Sequence, residues 1–326
     1  MNVKVCKFGG SSVRDSQQIK KVFDIVKSDK KRRVVVVSAP GRDETYDEKI
    51  TDHLLNLATN GKHFCEQKID ISTEQSLNAI LEKFDKLCDD LNINKKKVLE
   101  DIERDIVNCT FESEKREAFF LSRGEHYNAK IISEYMNKNG LNVKLMLPEN
   151  FGFMLSNEFT DGKVQKQTHD NIKKKFLFEK DEIYLVPGFY GVTKDKEIAV
   201  MSRGGSDLTG GELAYAIDAD VYENWTDTNG VYEVDPRVID GADVIPRLTF
   251  KELRLLSSKG FNVFHFDAML NCKKSKIPIN IRNTNNPEHE GTIILNERVP
   301  MEDFVGIAKL DNMASKKIKK DMLADE

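Results

Sequence analysis

Four valines in a row, Val34–Val37, sit inside the apolar run Arg33–Ser38. An apolar run with no polar alternation reads as a buried strand. Val3–Phe8 has the same character, and between the two Ile19, Val22, Phe23 and Val26 recur at helical spacing. Two buried strands joined through a helix imply a parallel pair, because parallel strands need a crossover connection. The alternation continues: helices over Leu54–Leu57, Leu77–Leu91 and Glu117–Asn139, the last stopped by Gly140, then a strand over Val143–Leu147. A second cycle has a strand over Ile183–Val186, an edge or hairpin strand over Glu197–Val200, a helix over Leu208–Asp218 and a strand over Val221–Trp225. Short helices over Phe250–Leu256 and Ala268–Lys274 and strands over Ile279–Arg282 and Thr292–Leu295 complete it. The charged stretch Asp90–Lys115 reads as helical, partly mobile, or both. No internal repeat is visible, and the class is α/β.

A chain of 326 residues can hold one large α/β domain or two ordinary ones. Its net charge of −4 argues against general nucleic-acid binding, which needs a basic face. The lysine runs Lys95–Lys97, Lys173–Lys175 and Lys316–Lys320 read as solvated helix faces and a tail. Five scattered cysteines (Cys6, Cys65, Cys88, Cys109, Cys272) form no CxxC pair, as expected for reduced thiols. The opening MNVKVCKFGG lacks a signal-peptide pattern, and no apolar run approaches a membrane span. The expected compartment is the cytoplasm, with no membrane and no nucleic-acid partner.

Three glycine-bearing clusters lie at or near predicted strand ends, where ligands collect in open α/β sheets. In Lys7-Phe8-Gly9-Gly10-Ser11-Ser12 a strand-end lysine runs into two glycines and two hydroxyls. Glycines let backbone N–H groups approach a phosphate, and Lys7 would add a point charge. An ordinary turn with a surface lysine would look the same. In Ser202-Arg203-Gly204-Gly205-Ser206-Asp207, Ser206 or Asp207 could cap the following helix. Alternatively, Arg203 could hold a carboxylate in bidentate fashion, and Asp207 could hold a lysine or a metal through water. Thr226-Asp227-Thr228-Asn229-Gly230-Val231-Tyr232, followed by Asp235-Pro236-Arg237, is either a turn or a loop wrapping a base and ribose. No Walker A, GxGxxG, HExxH or GxSxG pattern is present. The six histidines show no zinc-ligand spacing, so no metal site is expected.

Taken in order, these segments resemble the aspartokinases. Lys7-Phe8-Gly9-Gly10-Ser11-Ser12-Val13 looks like that family's opening, and Val37-Ser38-Ala39-Pro40-Gly41 with Thr51-Asp52 resembles its second strand and loop. Leu121-Ser122-Arg123-Gly124-Glu125, Gly188-Phe189 and Arg203-Gly204-Gly205-Ser206-Asp207 match further family motifs. So does Trp225-Thr226-Asp227 with Gly230-Val231-Tyr232 and Asp235-Pro236-Arg237. The resemblance runs from Met1 to about Leu295.

It implies the amino-acid kinase fold, a three-layer α/β/α sandwich around a mainly parallel sheet, with the amino acid in the N-terminal lobe and the nucleotide in the C-terminal lobe. It implies phosphorylation of L-aspartate by ATP to 4-phospho-L-aspartate, the first step toward lysine, threonine and methionine. Lys7 would stabilise the transferring phosphoryl group, oriented by Asp207, with Gly9, Gly10 and Ser11 at the phosphates. Arg203 would grip the α-carboxylate with Ser206, Gly204, Ser38 and Ala39. Glu125 would accept the substrate ammonium beside Thr51 and Phe189. Thr226, Asp227, Tyr232 and Arg237 would hold ATP, with Mg²⁺ entering on the nucleotide. A homo-oligomer is compatible with the pattern but not specified by it.

Two departures stand out. Asn262, in Gly260-Phe261-Asn262-Val263-Phe264-His265-Phe266, stands where many members carry a nucleotide-binding lysine. Members also continue into a pair of regulatory ACT domains, whose approach Ile281-Arg282-Asn283-Thr284 resembles. Residues 296–326 read instead as a linker and Lys-rich tail without that regulatory domain, and insensitivity to lysine and threonine is the expectation. The competing readings are another acid kinase of this fold, acting on glutamate, N-acetylglutamate, carbamate or a nucleotide, and a non-catalytic ligand sensor.

Overall fold

Lys4–Phe8 forms strand β1, and a 3-10 turn over Gly10–Val13 leads to helix α1 (Ser16–Ser28). Asp15 caps α1 by accepting a hydrogen bond from the Gln18 N–H. The valine run returns as β2 (Arg32–Val37), parallel to β1, with Val5 opposite Val34 and Phe8 opposite Val37. Four helices follow: α2 (Ile50–Ala58), α3 (Thr73–Asp90), α4 (Lys95–Val107) and α5 (Ser113–Lys138). Then come β3 (Asn142–Leu145), the short α6 (Pro148–Phe151), α7 (Gln167–Lys175), β4 (Glu182–Pro187) and a hairpin of β5 (Tyr190–Val192) and β6 (Ile198–Val200). The remainder is α8 (Gly205–Ile217), β7 (Val221–Thr226), β8 (Arg247–Thr249), α9 (Phe250–Ser258), α10 (Leu270–Lys274), β9 (Ile279–Asn283) and β10 (Thr292–Leu295). This computed structural model describes residues 3–43, 48–61, 71–179, 181–202, 204–234, 241–258 and 269–297, plus the backbone of 304–308 and 316–319.

The main sheet has eight strands in the order β3-β4-β2-β1-β7-β9-β10-β8. Its neighbours pair parallel except β10 with β9. Side chains alternate across the pleat. Val34 and Val36 therefore join Val5, Tyr184 and Tyr222 in one core, with Ile172 of α7, Leu213 of α8 and Leu253 of α9. Val35 and Val37 join Cys6, Phe8 and Trp225 in the other, with Ile19 and Val22 of α1, Phe84 of α3 and Ile131 of α5. With helices on both sides neither face of β2 is wet, which is why four valines occur without alternation. The predicted three-layer α/β/α sandwich is the architecture found.

Differences from the sequence reading have local causes. The charged stretch contains α4, which buries only Val98 and Ile102, so its apolar stripe is thin. The α7 helix is similar, burying Thr168 and Ile172 and exposing Lys173–Lys175. Three-residue β8 is too short to show a period. Within the segment read as linker and tail, Phe304–Ala308 (β11) and Lys316–Lys319 (β12) pair antiparallel.

Candidate active site

The carboxyl ends of β1, β2, β4 and β7 deliver the predicted residues to one end of the sheet. Lys7 and Asn224 lie side by side in the β1–β7 register, facing α8. Both converge on Asp207: Lys7 Nζ is 2.7 Å from Oδ1, and Asn224 Nδ2 donates to the same oxygen at 2.8 Å. Lys7 is buried and Asp207 largely so. Three elements thereby fix one ammonium group in direction as well as place. Asn224 was not foreseen; its only sequence signal was a pair of polar residues, Glu223 and Asn224, inside a strand.

The capping reading of Ser206 and Asp207 does not hold. Gly204 is the N-cap residue of α8, with φ +80°, a conformation glycine adopts without strain, and no side chain caps the helix. Ser206 and Asp207 lie inside the first turn, leaving the Asp207 carboxylate to Lys7 and Asn224. Ser206 packs against the end of β4, where a Cβ on Gly188 would stand 2.7 Å from the Ser206 Cβ. Phe189 follows at φ +74°, its N–H donating to Thr209 Oγ1 at 3.1 Å, with its ring beside Gly205. Arg203 lies outside the described residues.

The glycine turn after β1 is tied on two sides. The Gly9 N–H donates to the Trp225 carbonyl at 3.1 Å, so this amide, expected at a phosphate, is already engaged, which leaves Gly10 and Ser11. Their N–H groups open the 3-10 turn, where no preceding turn supplies acceptors. On the other side the Gly41 N–H donates to the Gly10 carbonyl at 3.0 Å, and a Cβ on Gly41 would come within 2.8 Å of the Gly10 carbonyl carbon. Ser12 and Thr284 share a buried hydroxyl contact at 2.8 Å behind the turn.

Glu125 sits mid-helix on α5 and is 5% exposed. A Cβ on Gly124 would meet the Ala39 Cβ at 2.8 Å, so that glycine lets α5 approach the loop after β2. The Glu125 carboxylate accepts the Ala39 backbone N–H, while its Oε2 has no hydrogen-bond partner among the described residues. Burial raises its pKa to about 8, against the opposing pull of the Ala39 N–H and the Lys7 charge. Ser38 is held by Asn128 Nδ2, which donates to its carbonyl at 2.8 Å, and Thr51 lies in the first turn of α2, half-buried.

The remaining candidates form a separate group beyond β7. Thr226 ends the strand, its hydroxyl donating to Asp227 at 3.1 Å, and Asp227 is exposed. Asn283 Nδ2 donates to Asn229 Oδ1 at 2.8 Å, joining this loop to β9. Tyr232 and Asn229 line a groove of about 660 Å³ with Val244, Pro246 and His289. Arg237 and Asn262 lie outside the described residues. Among the described residues no three His, Cys, Asp or Glu side chains form a metal-binding group, and no described helix is long and apolar enough to cross a membrane.

The described residues combine a strand-end lysine with a glycine turn, a buried carboxylate at Glu125 and a separate groove beyond β7. The sequence pattern of the amino acid kinase family matches residues 2–283. Aspartokinase 3 of Bacillus subtilis is 36% identical over 301 residues, covering 91% of this chain and 64% of that protein. The aspartate kinase of Clostridium acetobutylicum superposes with a TM-score of 0.79 at 34% identity, over 94% of this chain and 66% of its own. Escherichia coli aspartokinase III, solved with aspartate and ADP, gives 0.82 at 25% identity, over 94% and 67%. The chain thus spans about two thirds of the length of these relatives. By the match of its sequence pattern over residues 2–283, the chain belongs to the amino acid kinase family.

Proposed function

We propose that this protein is an aspartate kinase, transferring the γ-phosphoryl group of ATP to the side-chain carboxylate of L-aspartate. The observation that carries the reading is Glu125: a buried carboxylate with one oxygen unpartnered among the described residues, close enough to Lys7 to feel its charge. A buried carboxylate lacking a cation is costly; an α-ammonium group would supply the missing partner. Arg203 would take the α-carboxylate, with Gly204, Ser206, Ser38 and Ala39 around it and Thr51 and Phe189 as walls. Relatives of this chain are aspartokinases, and the E. coli enzyme was solved with aspartate and ADP, which supports the same choice.

The chemistry asks little covalent help of the protein. Aspartate's side-chain carboxylate is already ionised at neutral pH, so its oxygen can attack the γ-phosphorus without a general base. The bond from that phosphorus to the β,γ-bridging oxygen breaks, and its electron pair leaves on ADP. Lys7, aimed by Asp207 and Asn224, neutralises charge on the transferring oxygens, with Gly10 and Ser11 donating N–H groups. Thr226, Asp227, Tyr232 and Arg237 would hold the nucleoside end. Mg²⁺ entering with ATP would supply positive charge to offset that of the phosphates. With no acidic cluster among the described residues and Asp207 already engaged by Lys7, its ligands would be mostly phosphate and water.

An ADP-release assay across L-aspartate, L-glutamate, N-acetyl-L-glutamate and carbamate tests the choice. Turnover with aspartate alone is expected. N-acetylglutamate and carbamate lack the ammonium group that Glu125 would bind, and preference for either would overturn the reading.

A further inference from the structure

Thr292 opens β10, where it stands opposite Ile281 of β9 in the register of the sheet. It is fully buried, and a buried hydroxyl needs partners. Thr292 has two, on separate segments of chain. Its Oγ1 accepts the Val231 N–H at 2.8 Å and donates to the Ile245 carbonyl at 2.7 Å. Val231 and Ile245 are themselves buried.

Those two segments make a short antiparallel ribbon. The Ile245 N–H donates to the Val231 carbonyl at 2.8 Å and the Glu233 N–H to the Asp243 carbonyl at 3.0 Å, with Tyr232 opposite Val244 between them. In a regular ladder Val231 and Ile245 would exchange both of their bonds. Here the return bond is relayed through the Thr292 hydroxyl, so the ribbon forks at this point. One branch runs back through Gly230 to Asn229. The other runs on through Pro246 into β8, the Pro246 carbonyl accepting the Ile293 N–H at 2.9 Å. Gly230 fits the same contact, since a Cβ there would stand 2.5 Å from Thr292 Oγ1. Both branches line the groove of about 660 Å³: Asn229 and Tyr232 on one, Val244 and Pro246 on the other. Thr292 itself is not among the lining residues.

We propose that Thr292 is a positioning residue for the nucleoside end of ATP: its hydroxyl sets the spacing of the fork, and with it the placing of Tyr232 against Val244 and Pro246. A hydroxyl suits the place because one atom both accepts and donates at hydrogen-bond length. A methyl group there needs about 3.5 Å or more from its neighbours. It would wedge the branches apart and leave a buried N–H facing carbon. Asn229 is tied separately to Asn283, so the displacement falls on Val231 and Tyr232. The effect on nucleotide rests on the reading that this groove takes the nucleoside; the effect on the fork does not.

The test is Thr292→Val, which keeps the shape and replaces the hydroxyl by a methyl group, compared with Thr292→Ser, which keeps the hydroxyl. Amide hydrogen exchange on the unliganded protein is read first. Thr292→Val should speed exchange at Val231 by about tenfold or more, with the amides of β7 and β9 unchanged, and Thr292→Ser should match wild type. Titration calorimetry with ADP and Mg²⁺ is read second. Thr292→Val should weaken ADP binding by about tenfold or more, Thr292→Ser should restore it, and the aspartate KM should move less than about twofold in either variant. Unchanged exchange at Val231 in a folded Thr292→Val protein would overturn the proposal. So would faster exchange at Val231 with unaltered ADP binding, or a uniform acceleration that includes β9, since each marks a merely structural threonine. If the wild-type protein binds no ADP, the groove reading fails, while exchange at Val231 still decides whether Thr292 sets the fork.

Discussion

At the scale of single residues, the proposed reading divides the site between Lys7, for chemistry, and Glu125, for recognition. Lys7 is held by Asp207, which is held in turn by Asn224. Lys7→Ala should lower kcat by about a hundredfold or more, because on this reading its charge acts on the transition state, and it should also lower thermal stability, because it leaves the largely buried Asp207 carboxylate without its cation. Near-normal kcat in the folded variant would remove Lys7 from the chemistry. Glu125 gives a pH signature. With its pKa at about 8 in the empty site, it is largely protonated at neutral pH, and an incoming ammonium favours the ionised form. The aspartate KM should therefore fall as pH rises toward about 8 and then level off, while Glu125→Gln shows a raised, flat KM. The same shift acts on stability with a definite sign. The folded pKa lies above the unfolded value, so the favourable contribution is complete below the unfolded carboxylate pKa and is lost as pH rises through about 8. The melting temperature of unliganded wild type, relative to Glu125→Gln, should drop between about pH 5 and pH 9, as calorimetry at several pH values can show. The glycines, Lys7, Asp207 and Glu125 were legible as motif residues. The Asn224 contact and the engagement of Gly9 with Trp225 were not, because both depend on which strand β1 pairs with.

At the scale of elements, close approach between backbones is what builds the pocket. The end of β4 lies so near the first turn of α8 that a Cβ on Gly188 would stand 2.9 Å from the Ser206 Cα. Gly188→Ala should destabilise by about 1–3 kcal/mol in urea unfolding, since neither partner is a flexible side-chain tip, and should also raise the aspartate KM. A neutral effect on both would mean that α8 can shift without disturbing Ser206. Strongly apolar elements were readable in advance: β1, β2, β4 and α5 show periodic or continuous apolar runs. Helices α4 and α7 were obscured because each buries only two side chains and covers the rest with charge. The capping assignment failed for a related reason. Serine and aspartate at a predicted helix start look like caps in any sequence, and only the φ of Gly204 shows that the helix begins beyond it.

At the scale of the whole molecule, the parallel sheet brings four strand ends to one side, so residues far apart in sequence become neighbours. Lys7 meets Asp207 and Asn224, and Ser12 meets Thr284. The fold class followed from the run Val34–Val37, but the strand order did not, because two buried faces give no directional cue. On the proposed reading function is divided between two regions: the buried Glu125 would take an ammonium group, and the separate groove beyond β7 would take a nucleoside. If the lobes are used this way, Arg203→Lys should raise the aspartate KM about tenfold or more through loss of the bidentate fork while the ATP KM stays nearly constant. The opposite split would exchange the two binding regions. The most direct measurement is trapping of the product. Purified protein is incubated with ATP, Mg²⁺ and L-aspartate in the presence of hydroxylamine, which converts an acyl phosphate to a hydroxamate. Aspartyl-β-hydroxamate should accumulate in step with ADP and be absent with Lys7→Ala. ADP release without hydroxamate, or hydroxamate formed from glutamate in preference to aspartate, would contradict aspartate kinase activity.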